Sequence, residues 1–289
     1  MRRIETAELA REFVNQHRLE KRTVGLVLTM GALHEGHLSL AHHSLAQCDV
    51  TVATIYLNPA QFGPQEDLDQ YPRTLTADCE LLQSIGVDAV FVPPSEGMYP
   101  SGFSTYVQPP DVALRWEGEC RPEHFRGVTT VVLKFFHLLP ASHAFFGRKD
   151  YQQLKVIQAM VRDLNVDIEI VGCETVREGD SLAMSSRNRY LAPDARQRAI
   201  VIPKALHHLA DVVAAGQRDV EVLQRELQDI LLDSVTPESS RAGVDQIDYA
   251  VIVDRETLEP MLRLDRPAVA LIAARIGGTR LIDNRLIAP

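Results

Sequence analysis

Two histidines three residues apart, His34 and His37 in MGALHEGHLSL (residues 30 to 40), stand where an apolar run gives way to a leucine-rich helical pattern. A turn from a strand into a helix leaves unpaired backbone N–H groups and the positive end of the helix dipole, which together attract phosphate. A spacing of three residues brings both imidazoles to one side of the helix. Their ring N–H groups can there meet charge that builds on a phosphoryl group in a transition state. Gly31 supplies the tight turn, and Gly36 lets a ligand reach the backbone without a Cβ in the way. The plain structural alternative is that His34 caps the helix and His37 packs. A zinc pair is disfavoured, because H-E-G-H lacks the four-residue spacing of H-E-x-x-H.

Three further stretches carry matching chemistry. FFGRKDYQQL (145 to 154) repeats the layout: a glycine after an apolar run, then Lys149 and Asp150, then a helical pattern with Gln152 and Gln153. Ligands of open parallel sheets bind at the carboxyl ends of the strands, so this stretch and the histidine turn are expected to face one crevice. Lys149 would supply fixed positive charge for phosphates and Asp150 an acceptor for ribose hydroxyls; otherwise they are a solvated charge and a helix cap. YLNPAQFGPQEDLDQYPRT (56 to 74) is long and turn-rich for a connection, as functional loops often are. Its Asn58 and Gln61 can hydrogen-bond a carboxylate or hydroxyl without adding charge; the alternative is a proline-stiffened surface loop. LAMSSRNRYL (182 to 191) gathers Ser185, Ser186 and Arg187, which suit a mobile loop that closes on polyphosphate, against the alternative of a serine-rich linker. The absence of a P-loop, a G-x-G-x-x-G fingerprint and a G-x-S-x-G elbow removes support for the usual kinase, dehydrogenase and hydrolase readings.

To position these groups, residues 24 to 171 alternate short strands with helices in the manner of a parallel α/β sheet. The expected strands are VGLVL (24 to 28), VTVATIYL (50 to 57), DAVFV (88 to 92), HAFF (143 to 146) and DIEIV (167 to 171). EGHLSLAHHSLAQC and DYQQLKVIQAMVRDL place apolar residues at helical spacing, Leu38, Ala41 and Leu45 in the first and Leu154, Ile157, Met160, Val161 and Leu164 in the second. GVTTVVLKFFHLL is apolar nearly all round and is read as a buried helix, with a strand as the competing reading. After Val176 the texture changes. A polar run leads into helical stretches at RQRAIVIPKALHHLADVVAAG and DVEVLQRELQDILLDSV, then three strands at IDYAVIVD, AVALIAARI and TRLIDN. The expected architecture is therefore a Rossmann-like α/β domain with a parallel sheet and crossover helices over residues 1–176. A smaller α+β domain over 177–289 carries the M-S-S-R loop.

Composition narrows the partners. At 289 residues, with 45% hydrophobic and 24% charged residues, the chain has the balance of a globular protein that folds by burial. A net charge of -9 argues against a broad basic face for nucleic acid. Cys48, Cys79, Cys120 and Cys173 show no zinc-finger spacing and are expected to be free thiols, mostly buried, as in a reducing cytosol. MRRIETAELAREF has no apolar core behind its arginines and is not a signal peptide, and no stretch is uninterrupted enough to span a membrane. A cytoplasmic location is expected.

Taken together, MGALHEGH, NPAQFGPQEDLDQYPRT, HFRGVTTVVLKFF, FFGRKDYQQL and AMSSRNRYL closely resemble the pantothenate synthetase (pantoate–β-alanine ligase) family. That family belongs to the H-x-G-H superfamily of nucleotidylyltransferases and class I aminoacyl-tRNA synthetases. The resemblance implies ATP-dependent condensation of (R)-pantoate with β-alanine through a pantoyl adenylate. It implies ATP as a substrate, Mg2+ bridging ATP oxygens and a homodimer. By the same resemblance, Met30, Gly31, Ala32, Leu33, His34, Glu35, Gly36 and His37 line the ATP site. Gly147, Arg148, Lys149 and Asp150 form the nucleotide segment, Val176 contacts adenine through its backbone, and Met184, Ser185, Ser186 and Arg187 form the phosphate loop. His34, His37, Lys149, Ser185 and Arg187 are the implied catalytic groups. Gln61 and Gln153 match the pantoate-binding glutamines, with Gln61 also reaching β-alanine and Asn58 nearby.

Three positions depart from or stretch the pattern. Arg148 stands where many members carry glutamate or glutamine, and Ser181 where glycine is usual. Asp78 lies where acidic residues are often associated with magnesium. The alternatives are another adenylate-forming or nucleotidyl transferase of the superfamily and a non-catalytic nucleotide-binding sensor. An RNA-binding synthetase would need a basic face that this chain lacks, and a sensor would have little use for both glutamines and the M-S-S-R loop.

Overall fold

In the computed structural model, residues 1–64, 66–232 and 243–289 are described. Six strands, β1 (Arg2–Ile4), β2 (Val24–Thr29), β3 (Val50–Ile55), β4 (Ala89–Phe91), β5 (His143–Gly147) and β6 (Glu169–Cys173), pair in parallel in the order β1-β4-β3-β2-β5-β6. Three strands, β7 (Gln246–Asp254), β8 (Ala268–Ile276) and β9 (Thr279–Ile287), form a separate antiparallel sheet. The helices are α1 (Ala7–Leu19), α2 (Glu35–Gln47), α3 (Leu75–Ser84), α4 (Ser95–Met98), α5 (Glu117–Cys120), α6 (His124–Leu138), α7 (Tyr151–Asp163), α8 (Pro193–Arg198), α9 (Val201–Ala214) and α10 (Val220–Leu232). The expected class, a Rossmann-like parallel sheet with a smaller α+β domain after it, is the one observed.

The chain divides into two compact units, one of residues 1–148 and 152–174, the other of residues 149–151 and 175–289. In the first, β2 and β3 are buried along nearly their whole length, which is why both read as continuous apolar and β-branched runs rather than alternating ones. One face of the sheet packs Leu26, Val52 and Phe91 against Phe135, Ile157 and Met160; the other packs Val27, Ala53 and Phe145 against Leu40, Ala41 and Leu82. The all-round apolar segment is the helix α6, ten of whose residues are buried. Its Thr129 and Thr130 hydroxyls donate to Phe125 O (2.8 Å) and Arg126 O (2.7 Å), so burial strands neither. After β2 the chain builds outward through β3 and β4, and after β5 it builds the other way to β6. The reversal lies between β2 and β5, where open α/β sheets form their ligand crevice.

In the second unit α9 and α10 cover the antiparallel sheet, burying Leu206, Leu209, Leu223 and Leu227 against Ala250, Ile252, Ala270 and Ile272. The helical stretch expected over 196 to 216 is two helices. Pro203 has no N–H to offer Ala199 O, so the run breaks at Ala199–Ile200 and restarts with the proline in the first turn of α9, where it is tolerated. Of the stretch expected over 219 to 235, α10 fills residues up to Leu232; 233 to 235 lie outside the described residues, as does Gln65 in the long loop. Strand β6 begins two residues later than expected, and β1, α1 and α3 were not anticipated.

The four cysteines are free, but only Cys173 is buried; Cys48 and Cys79 are half-buried and Cys120 is exposed, contrary to the expectation of mostly buried thiols. Among the described residues no helix is long and apolar enough to cross a membrane.

Candidate active site

The histidine turn is built by its backbone. At the end of β2, Thr29 Oγ1 donates to Thr54 O (2.7 Å) and accepts from Gly31 N–H (3.2 Å). Gly31 (φ +82°) and Ala32 (φ +51°) follow in the left-handed region. A Cβ at Gly31 would meet Asp78 Oδ2 at 3.1 Å as well as adopting that conformation, which accounts for glycine there. Asp78, on α3, accepts from Ala32 N–H (3.0 Å) and Leu33 N–H (2.9 Å). His34 is the N-cap of α2, with extended backbone and its ring Nδ1 accepting from Gly36 N–H (3.1 Å). A neutral ring whose Nδ1 accepts carries its proton on Nε2. The capping role and the donor role are thus one geometry. The His37 ring lies 4.1 Å from the His34 ring, so both imidazoles share one side of the first turn, and Leu38, Leu40 and Ala41 bury the far side of the helix. Met30 and Gly36 are half-buried and Glu35 is exposed.

In the long loop, Pro59–Gln61 form a short 3-10 turn capped by Asn58. Asn58 is only 1% exposed, and the protein fills its bonding capacity. Its Oδ1 accepts from Tyr99 OH (2.8 Å) and Ala60 N–H (3.3 Å), and its Nδ2 donates to Gln61 Oε1 (3.1 Å) and Gly127 O (3.2 Å). Gln61 Nε2 contacts Met30 Sδ at 2.9 Å, which ties the loop to the histidine turn. The Gln61 carbonyl accepts from Arg121 Nη2 (3.3 Å) and from His124 Nδ1 (3.0 Å). Burial, with Arg121 adding to it, depresses His124 to a pKa of about 4, so it donates as a neutral ring. Glu66 Oε1 in the same loop accepts from Arg121 Nε (2.8 Å); burial opposes ionisation of that carboxyl, but the Arg121 bonds outweigh it and hold the pKa below its ordinary value.

At the end of β5, Gly147 is half-buried and an added Cβ would meet nothing within 4 Å. The Arg148 guanidinium pairs with Glu174, an ion pair within its own unit. The two glutamines of α7 differ sharply. Gln152 is buried and structural, accepting from Glu117 N–H (3.1 Å) and donating to Val112 O (2.9 Å) and Arg115 O (2.8 Å), whereas Gln153 is half-buried.

Lys149 and Asp150 belong to the second unit, where Asn284 Nδ2 donates to Lys149 O (2.8 Å) and Lys149 Nζ lies 3.7 Å from Asp150 Oδ1. Residues 176 to 184 form a hairpin: Met184 N–H donates to Val176 O (3.0 Å) and Glu178 N–H to Leu182 O (2.8 Å). Ser181 sits in its turn at φ +72°, a conformation that glycine enters more readily than serine. Arg177 grips Asp283 with two bonds (2.7 and 2.9 Å) and donates to Ser181 O (3.0 Å). Ser185 then caps the 3-10 turn Ser186–Tyr190, its Oγ accepting from Arg187 N–H (3.3 Å); Ser186 is buried, and Ser185 and Arg187 are half-buried.

Sequence reasoning linked Asp78 to magnesium and not to the histidine turn that it holds, and it overlooked Tyr99 for Asn58, Arg121, His124 and Gly127 for Gln61, and Asp283 and Asn284 for the hairpin and Lys149. The one local signal was Gly127, a glycine inside a helix, which marks close approach by another backbone.

A sequence profile of the family described as Pantoate-beta-alanine ligase matches residues 2–286. A pantothenate synthetase of Rhodopirellula baltica is 53% identical over 266 residues, 91% of this chain and 90% of that protein. The crystal structure of pantothenate synthetase from Thermus thermophilus superposes with a TM-score of 0.91 at 42% identity over the whole of both chains. A pantoate-beta-alanine ligase from Francisella tularensis, solved in complex with beta-gamma ATP and β-alanine, gives 0.73 at 29% identity, covering 99% and 97% of the two chains. Likeness of this depth along both units is a matter of descent rather than of shared architecture, and the chain belongs to the pantoate–β-alanine ligase family.

Proposed function

We propose that the chain joins (R)-pantoate to β-alanine using ATP, giving pantothenate, AMP and pyrophosphate, as a step in pantothenate and coenzyme A biosynthesis. The observation that carries the proposal is the His34 cap, whose Nδ1 is held by Gly36 N–H and whose Nε2–H is therefore a donor beside His37 at a helix N-terminus. That set suits a polyphosphate.

In the first step a pantoate carboxylate oxygen bonds to the α-phosphorus of ATP, and the bond from that phosphorus to the bridging oxygen breaks, releasing pyrophosphate. A carboxylate brings no proton, so neither histidine has to donate one; both stabilise charge spreading over the phosphoryl oxygens. Lys149, Ser185 and Arg187 add charge and donors for the departing pyrophosphate, with Gly147, Arg148, Met184 and Ser186 shaping the nucleotide site. Asp150 takes the ribose hydroxyls and the Val176 backbone the adenine. Gln61 and Gln153 hold pantoate, and Gln61 then reaches β-alanine; Asn58, buried and saturated, acts through Gln61. In the second step the β-alanine amine attacks the acyl carbon, AMP leaves with its oxygen and the amine loses a proton.

Among the described residues no group of three or more His, Cys, Asp or Glu side chains is arranged to hold a metal ion; magnesium, implied by the family resemblance, would enter with ATP on its phosphate oxygens. Bound there, it would neutralise charge shared between phosphates. A homodimer in the cytoplasm completes the reading, in keeping with the family.

The test is pantoate-dependent exchange of labelled pyrophosphate into ATP, together with β-alanine-dependent AMP release, run against a panel of other acids and amines. Equal exchange without pantoate, or with an amino acid in its place, would defeat the ligase reading. His37→Ala should slow adenylation by a factor on the order of a hundred or more while the protein remains folded.

A further inference from the structure

We infer that Asp78 is a positioning residue for adenylation: its carboxylate fills a nest formed by the backbone of residues 31 to 33 and so fixes the left-handed turn that aims His34 and His37. The inference rests on the ligase reading above.

Successive backbone N–H groups in an unusual turn converge into a concavity that binds anions. Gly31 at φ +82° and Ala32 at φ +51° make such a turn, and its Ala32 and Leu33 N–H groups point at one place. The anion there is the chain's own. Asp78 is 2% exposed; its Oδ2 accepts from Ala32 N–H (3.0 Å) and from Thr74 Oγ1 (3.0 Å), and its Oδ1 accepts from Leu33 N–H (2.9 Å). The first turn of α3, where Asp78 sits, adds the favourable end of a helix dipole. Three donors and that dipole make a buried carboxylate tolerable, and the carboxylate in turn holds Ala32 in a conformation that a residue with a Cβ seldom adopts.

The same geometry speaks against the role that family resemblance attaches to this position. Magnesium keeps a near-octahedral shell with several waters. At 2% exposure, with both oxygens engaged by main-chain N–H groups, Asp78 does not fit that shell. Its influence on catalysis runs through the turn. Losing the carboxylate frees the peptides on either side of Ala32 to rotate, and His34, the next residue but one, loses its aim. The adenine and ribose contacts proposed above fall on Val176 and Asp150, outside this turn, so most of the loss should fall on the transition state rather than on ATP binding.

The experiment uses the full chain with Asp78→Asn, alone and combined with Ala32→Gly, and Thr74→Val as a milder variant. Pantoate-dependent pyrophosphate exchange gives kcat and the KM for ATP, magnesium titration gives the metal requirement, and thermal melts report folding. Asp78→Asn should lower kcat by about tenfold or more with the KM for ATP changed less than about threefold and the magnesium requirement unchanged. Glycine enters the left-handed region without the Cβ penalty, so Ala32→Gly should restore part of the lost kcat. Thr74→Val should lower kcat by roughly two- to fivefold, which keeps the test decisive if Asp78→Asn does not fold. Wild-type kcat in folded Asp78→Asn, a defect cured by excess magnesium, or a Thr74→Val variant that melts lower yet turns over normally would each overturn the inference. Failure of the ligase reading is a different result, since the unmodified chain would then show no pantoate-dependent exchange.

Discussion

Gly127 is the most exacting position around Gln61. A methyl group there would lie 2.2 Å from Ala60 O, 2.4 Å from Ala60 C and 2.6 Å from Gln61 Cα, all backbone atoms. Restoring ordinary contact requires the 3-10 turn Pro59–Gln61 to retreat by about 1 Å, because neither it nor the buried start of α6 contains a flexible side chain that can yield. The retreat stretches the His124 Nδ1 to Gln61 O and Asn58 Nδ2 to Gly127 O bonds, now 3.0 and 3.2 Å. Overpacking of this kind costs about 1–3 kcal/mol of stability. A displacement of ~1 Å in a group that aligns a substrate costs about a hundredfold in rate. Gly127→Ala should therefore fold with a lowered melting temperature, raise the KM for pantoate and cut kcat, with the KM for ATP little changed. Gly179→Ala, where an added Cβ meets nothing within 4 Å, is the control. Steady-state kinetics with each substrate varied, alongside thermal melts, decide the matter. Wild-type kcat and pantoate KM in Gly127→Ala would refute the idea that this contact sets the position of Gln61.

The neighbouring glutamines should part company: Gln152→Ala should destabilise the fold by about 2 kcal/mol by stripping the buried Glu117 N–H and the carbonyls of Val112 and Arg115 of their partner, whereas Gln153→Ala should leave the melt unchanged and weaken pantoate use in kinetics. Ser181→Gly should stabilise by about 1 kcal/mol in chemical denaturation, since it removes a Cβ from φ +72°; a loss of stability would show that the serine is not strained. His124 is depressed to about 4 in the fold, so between its ordinary value near 6.5 and about 4 the unfolded chain binds the extra proton. Its contribution is thus complete above pH 6.5 and is lost as pH falls through 4, amounting to about 3 kcal/mol. Denaturation of wild type and His124→Gln across pH 4 to 7 should differ in slope with that sign, and parallel curves would rule it out.

Much of the fold was legible because burial writes itself into composition. The continuous runs at β2 and β3, the helical spacing in α2 and α7 and the three terminal strands all follow from which faces are covered. Elements with weaker burial were harder: β1 is three residues long and α1 lacks an apolar stripe beyond Ala10, Phe13 and Val14. The groups proposed to meet substrate were visible as residue types at turns. The way they are held was not, because Asp78, Tyr99 and Asp283 act on partners 46, 41 and 106 positions away. Asn58 shows the limit best, since its residue type suggests a ligand contact and only its four bonds within the protein reveal a brace.

The excursion of residues 149–151 into the second unit has a consequence for dissection and recombination of the protein. Lys149 is encoded between a strand and a helix of the first unit, yet its carbonyl is held by Asn284 and the Tyr151 hydroxyl by Arg255 O, both near the far end of the chain. A cut or gene fusion placed at the junction near residue 175 would look clean in sequence but would sever this lysine from its support. Chimeras that exchange C-terminal units between relatives should therefore carry the 149–151 segment across with them as one heritable block.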